Sequence, residues 1–166
     1  MADRSLILNS EDVKKKITRI AYEIAERNYD ENELLLLGIG TNGVKIANQL
    51  AKTLGNILKL KINIGNIKLN KKNPVQEDVV INYDHHEITG KVVIIVDDVA
   101  NTGRTLLYAM KPLLKFLPKK IQIAVVVDRQ HKSFPISPDY VGILLSTNML
   151  EHVNVELAVK GGVYLS

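Results

Sequence analysis

Two adjacent aspartates, Asp97 and Asp98, close the apolar run Val92–Val96, and Val99, Ala100, Asn101, Thr102, Gly103, Arg104 and Thr105 follow, so that the segment reads VVIIVDDVANTGRT. These residue types in this order suit a phosphorylated sugar. A buried strand brings the carboxylates to the edge of a sheet, where they accept hydrogen bonds from a cis-diol. The polar turn and helix start behind them offer free backbone N–H groups to a phosphate. A sugar with a cis-diol and a terminal phosphate needs both at about that separation. Paired aspartates at a strand end also serve as turn or helix caps, but a cap leaves the following Thr-Gly-Arg-Thr unexplained.

A second candidate is Gly38–Gly43, GIGTNG, a literal G-x-G-x-x-G between an apolar run and a helical pattern. A dinucleotide site of this form needs an acidic residue about 20 positions on, to hold the adenosine ribose. From Leu34 to Gln76 the chain has no Asp or Glu, which argues against nicotinamide chemistry. A tight turn that merely needs glycine is one reading. The preferred one is an anion loop, with glycines letting the backbone approach a pyrophosphate and a helix N-terminus behind it. The same stretch carries Lys45, Lys52, Lys59, Lys61, Lys68, Lys71 and Lys72. Most of these read as solvated surface; Lys71 and Lys72 stand out because they sit on a polar loop. Asp84-His85-His86-Glu87 fits no common zinc spacing and reads as a solvated turn. His131 and His152 read as surface or interface hydrogen-bonding groups.

The elements that must position these residues follow from hydrophobic period. Asp12–Asn28 is an amphipathic helix through Val13, Ile17, Ile20, Ile24 and Ala25, with Ser10 as N-cap. Leu34–Ile39, Val92–Val96 and Ile121–Val127 are continuous apolar runs, hence buried strands. Gly43–Leu54 is helical and Leu58–Ile64 alternates like a strand. Lys68–Asp78 is a mobile loop. Thr105–Phe116 is a helix with Pro112 as a potential kink. Short strand-like pieces follow Tyr140. Strands alternating with helices predict an α/β fold, a mostly parallel sheet with helices on both faces. Ligands in such folds bind beyond the carboxyl ends of the strands, where Gly38–Gly43, Asp97–Thr105 and Asp128–Arg129 all fall.

The 166 residues fit one domain. Charged residues are 24% of the chain and cysteine is absent, which excludes disulfides and thiolate chemistry and suits a reducing compartment. The start, MADRSLILNS, is too short in its apolar part for a signal peptide, and no run approaches a transmembrane length. A net charge of +4 favours anionic ligands. A cytoplasmic protein without membrane attachment is expected.

VVIIVDDVANTGRT resembles the phosphoribosyl-pyrophosphate motif of the type I phosphoribosyltransferases. Across most of the chain the resemblance is to the PyrR group, pyrimidine operon regulators with uracil phosphoribosyltransferase activity. It is carried by TRIAYEIAERN (Thr18–Asn28), the glycine loop, DDVANTGRT, VVVDRQHKSFPISPDYVG (Val125–Gly142) and LSTNMLEHVNVEL (Leu145–Leu157). The resemblance implies a type I phosphoribosyltransferase-like fold, with a small hood from the flanking segments. Asp97 and Asp98 would hold the ribose hydroxyls, and Val99–Thr105 would wrap the sugar phosphate. Gly40, Thr41, Asn42 and Gly43 would form the pyrophosphate loop, Lys71 and Lys72 the flexible loop, and Asp128 and Arg129 would lie near the base. Mg2+ would be held through phosphoribosyl pyrophosphate and water, with no direct protein ligand. The implied activity is transfer of the phosphoribosyl group to a nucleobase, uracil first. The alternative is a nucleotide-sensing, RNA-binding regulator with little or no turnover, and a homo-oligomer is expected.

The chain departs from that group's usual pattern at identifiable places. Asn42 and Lys71 stand where arginines are usual, and lysine cannot grip a phosphate bidentately. Tyr22 replaces a histidine, and Ser137 and Ile143 replace basic residues, while Lys132 is kept. RNA affinity rests on several phosphate contacts, so RNA binding ranks below sugar-phosphate chemistry.

Overall fold

Apolar runs that must be covered on both sides form the centre of the sheet. Leu34–Leu37 and Val93–Val96 are wholly buried and run parallel, Leu34 opposite Val92 and Gly38 opposite Val96. The computed structural model describes residues 4–148 and 150–166. Residues 1–3, which begin the segment judged too short for a signal peptide, and Met149, inside the tail motif, lie outside the described residues.

In chain order the elements are β1 (Ser5–Asn9), α1 (Ser10–Arg27), β2 (Glu33–Ile39), α2 (Gly40–Ile57), β3 (Lys61–Lys68), β4 (Val80–Asn82), β5 (Val92–Ala100), α3 (Arg104–Met110), β6 (Lys120–Arg129), β7 (Tyr140–Leu145), β8 (Val153–Glu156) and β9 (Gly162–Leu165). The main sheet has the order β4-β3-β2-β5-β6-β7. Its pairs are parallel except β3–β4. Leu34, Leu36, Val92, Ile94 and Val96 point to the face covered by α1 and α2. Leu35, Leu37, Val93 and Ile95 point to the face where Leu106, Ala109 and Leu113 close the second core. This is the α/β architecture expected, with helices on both faces. The flanking segments build a separate antiparallel sheet, β1-β9-β8, the expected hood.

The strand order creates the site. From β2 the chain crosses to β3 on one side, while β5 leads to β6 on the other. The connections diverge at β2 and β5 and leave a crevice at their carboxyl ends.

Several boundaries differ from the sequence reading. Helix α1 begins at Ser10, and its N-cap is Asn9, whose Oδ1 accepts the Asp12 amide at 2.9 Å. Helix α2 begins at Gly40, three residues before Gly43. The strand expected at Leu58–Ile64 is displaced to 61–68, because its register with β2 runs from Glu33↔Lys61 to Ile39↔Ile67. Leu58 and Leu60 instead fill the core from the connecting segment. The helix expected at Thr105–Phe116 is α for 104–110 and then a tighter 3-10 turn, Lys111–Lys115. Pro112 has no N–H to continue the α ladder. Strands β1 and β4, too short to show a period, were not foreseen. Asp84–Glu87 is an exposed 3-10 turn, with the Asp84 carboxylate accepting the His86 amide at 3.0 Å. No group of three metal-ligating side chains occurs among the described residues. Nor is any of the described helices long and apolar enough to cross a membrane.

Candidate active site

Strand β5 outruns β2: their pairing ends at Gly38↔Val96, whereas β5 stays paired with β6 to Ala100↔Asp128. The overhang carries Asp97 and Asp98 into the crevice with their backbone still supported on one side. The Asp97 side chain is 1% exposed and that of Asp98 17%. Asp97 Oδ1 accepts the Asp98 amide at 3.0 Å, and Asp98 Oδ1 the Val99 amide at 2.8 Å. These local bonds hold the two carboxylates apart and leave their other oxygens to outside partners.

Asp98 Oδ2 accepts from the Asn42 side-chain amide at 2.7 Å, and the same amide donates to the Val155 carbonyl at 3.0 Å. Asp97 receives the Lys71 ammonium, with Nζ 3.0 Å from Oδ1 and 3.3 Å from Oδ2. Lys71 Nζ is also 3.8 Å from Asp98 Oδ1. Burial, reinforced by the Asp98 charge, pushes the Asp97 carboxyl up to about 7 against the opposing pull of Lys71. Burial acts to lower Lys71, but the two carboxylates outweigh it and hold the ammonium above its ordinary range. Arg104 Nη2 donates to the Lys71 and Lys72 carbonyls, each at 3.2 Å, and so ties the loop to the first turn of α3.

The turn from β5 into α3 needs Gly103, whose φ is +88°. Its outer side is packed by the segment after β6, where the Ser133 and Phe134 amides donate to the Thr102 carbonyl at 3.0 and 3.1 Å. Gly103 has no side chain to cap α3; the Arg104 amide donates to Thr102 Oγ1 at 3.4 Å, and the turn lines the crevice. The result is a cavity of about 390 Å3, lined by Asn42, Lys71, Asp97–Leu106 and Val153–Val155.

The three turns expected at this end are only partly merged. Asn42, Lys71 and Asp97–Thr105 share the cavity. Gly40 and Thr41 open onto a separate depression with Lys45, Asn66 and Lys68. Gly43 has a packing role, since an added Cβ would lie 2.5 Å from the Val96 carbonyl oxygen. Lys72 contributes its backbone carbonyl, not its side chain. Asp128 and Arg129 lie behind Asn101. Arg129 donates to Asn101 Oδ1 at 3.0 Å, Thr147 Oγ1 at 2.8 Å and the Asn148 carbonyl at 3.0 Å. With Asn101, Thr102 and His131 it bounds a smaller recess of about 120 Å3. Lys132 is turned inward, ion-paired with Asp128 and donating to the Asn101 carbonyl at 3.1 Å.

The contribution of β8 was missed in the sequence. Val153–Val155 lies in the tail segment that carries the resemblance, but it reaches the cavity because β8 belongs to the hood sheet.

A profile of the phosphoribosyl transferase domain matches residues 3–160. The bifunctional protein PyrR of Brevibacillus brevis is 38% identical over 165 residues, covering 95% of this chain and 92% of that protein. The pyrimidine operon regulatory protein of Lactococcus lactis is 38% identical over 164 residues, covering 96% and 93%. The chain belongs to the phosphoribosyltransferase family, in its PyrR group. The fold has wider relatives in the family. The hypoxanthine phosphoribosyltransferase of Trypanosoma cruzi in complex with IMP superposes with a TM-score of 0.72 at 20% identity, covering 84% of this chain and 75% of that one. A hypoxanthine-guanine phosphoribosyltransferase from Bacillus anthracis gives 0.70 at 21% identity, covering 85% and 82%. In this chain the carboxylates are met by an amide from Asn42 and an ammonium from Lys71.

Proposed function

We propose that this phosphoribosyltransferase moves the phosphoribosyl group of phosphoribosyl pyrophosphate to a pyrimidine base, uracil first, releasing pyrophosphate. The observation that carries the reading is the one cavity lined by both the carboxylate pair and the Gly103 turn that opens α3. Asp97 and Asp98 would accept from the two ribose hydroxyls. The amides of Val99–Thr105 and the hydroxyls of Thr102 and Thr105 would surround the sugar phosphate. The reaction breaks the bond from the anomeric carbon to pyrophosphate and forms one to a base nitrogen. Positive charge develops on the sugar in the transition state, and the adjacent carboxylates stabilise it electrostatically. Closure of the loop 69–79 keeps out water, the competing nucleophile.

The donor set fits Mg2+ bound through ligand oxygens and water. Asp98 is partly exposed toward the cavity and would accept a hydrogen bond from a metal-bound water, since Mg2+ usually keeps several waters. When bound it would neutralise charge on the leaving pyrophosphate. The base would lie toward the recess beside Asn101, Arg129 and Asp128. We place the protein in the cytoplasm, as a homo-oligomer, with the whole chain acting as one domain.

The test is pyrophosphate release from phosphoribosyl pyrophosphate and Mg2+ with each common base in turn. Turnover with uracil above the other bases is expected. Ligand binding without turnover on any base would refute the enzyme reading.

The name of the Lactococcus relative, pyrimidine operon regulatory protein, supports a second reading as a regulator, for which we infer nucleotide-dependent RNA binding. The inward Lys132 weighs against a broad contact. RNA affinity that falls steeply with salt, and changes when a nucleoside monophosphate is added, would establish this reading.

A further inference from the structure

Part of the protein itself reaches into the cavity. Lys71 holds Asp97 through both carboxylate oxygens, at 3.0 and 3.3 Å, and stands 3.8 Å from Asp98. Its loop is built to present it there. Asn70 Oδ1 accepts the Lys72 and Asn73 amides at 3.1 and 3.0 Å, folding the chain tightly around Lys71. Arg104 holds the Lys71 and Lys72 carbonyls from the opposite side, and Pro74 is buried beneath the turn. The ammonium therefore sits where a ribose diol has to bind.

We propose that Lys71 is a specificity-determining latch: it closes the empty site on Asp97 and Asp98, and only a ligand that offers its ammonium a new anion displaces it at little cost. This rests on the assignment of the cavity to a sugar phosphate. A diol arriving at the carboxylates expels Lys71 from an ion pair whose carboxylate is buried and whose lysine side chain is about half exposed. A ligand with no second anionic group leaves that ammonium without a partner and bears the loss of the ion pair. A ligand with an anionic group beside the sugar receives Lys71 instead. The other cation at the cavity, Arg104, is committed to the loop carbonyls, and Asn42 to Asp98 and Val155. Lys71 is thus the group that distinguishes a pyrophosphate-bearing sugar from the same sugar without it. Phosphoribosyl pyrophosphate and ribose 5-phosphate share the diol and the terminal phosphate, and differ at the anomeric substituent that Lys71 would meet.

The experiment compares wild type, Lys71→Met and Lys71→Arg. Calorimetry with each of the two sugars, in Mg2+, gives affinities; amide exchange of residues 69–79 without ligand gives the latch directly. In Lys71→Met, phosphoribosyl pyrophosphate should bind about tenfold more weakly and ribose 5-phosphate more tightly, with loop exchange about tenfold faster. Lys71→Arg should restore most of the preference. Parallel weakening of both sugars would show Lys71 to be a general positive charge and overturn the specificity claim. Unchanged loop exchange would overturn the latch, whatever the affinities. Failure of both sugars to bind wild type would refute the sugar-phosphate assignment and the specificity with it, while loop exchange would still decide whether the latch exists.

Discussion

Asn42 and Asp98 meet across the seam between β2 and β5, with Asn42 Nδ2 2.7 Å from Asp98 Oδ2 and, on its other side, 3.0 Å from the Val155 carbonyl. One amide joins the start of a helix, a carboxylate and the hood. Asn42→Ala should therefore lower stability by about 1–2 kcal/mol. The amides of β8 should exchange faster than those of the main sheet. Equal protection in both sheets would show that the hood is held without Asn42.

Asp98 is the more exposed of the two carboxylates. Asp98→Asn keeps the shape and removes the charge. Affinity for ribose 5-phosphate and for a nucleoside monophosphate should fall about tenfold. Unchanged calorimetric affinity for both would mean that the diol does not bind at this pair.

Asp97 titrates at about 7 in the folded protein against an ordinary 3.8, raised first by burial and then by Asp98. Between those values the folded state holds a proton that the unfolded chain has lost. The stability from this group is thus present below about pH 4 and lost as pH rises through about 7. Asp97→Asn should stabilise the protein near pH 8 by on the order of a few kcal/mol, and change little near pH 4. The local effect runs the other way. Lys71 needs the ionised carboxylate, so exchange of residues 69–79 should speed up as pH falls below about 7. Denaturant melts and amide exchange at the two pH values separate the effects.

Gly40 and Gly43 lie in the same motif and should respond differently. A Cβ on Gly43 would lie 2.5 Å from the Val96 carbonyl oxygen and 3.0 Å from the Gly38 carbonyl carbon, with only backbone to yield. Gly43→Ala should cost about 3 kcal/mol or more. Gly40 has open space around it but a φ of +61°, so Gly40→Ala should cost about 1 kcal/mol. Similar melting points for the two variants would contradict this division.

The parallel sheet and the carboxylate-bearing turn were legible in the sequence because both are local. A run such as Leu34–Leu37, buried on both faces, has few alternatives to a central strand. Asp97–Thr105 keeps its motif within one strand-turn-helix unit. What the sequence concealed depends on partners far along the chain. The alternation of Leu58–Ile64 was misread because Leu58 and Leu60 are apolar to fill a core gap, while the strand register is fixed by β2. Lys71 was visible as an exceptional lysine, but 26 residues separate it from Asp97, and no spacing rule encodes that contact. Lys132 looked like a surface cation for RNA until β6 and its following turn folded it back onto Asp128.

The hood has a consequence for how the molecule is made. Strand β1 pairs with β9, Ser5 opposite Leu165, and the Arg4–Glu156 ion pair beside it spans 152 residues. Closing so long a loop carries a large entropic cost before any contact repays it. During synthesis β1 must wait for nearly all of the other residues to emerge, whereas β2, β3 and β5 can pair much earlier. Ligand binding should therefore lag behind sheet formation in refolding, a delay measurable by following circular dichroism and nucleotide binding together. A chain stopped short of β9 would keep its carboxylates and its phosphate turn and still lack a finished wall for the sugar.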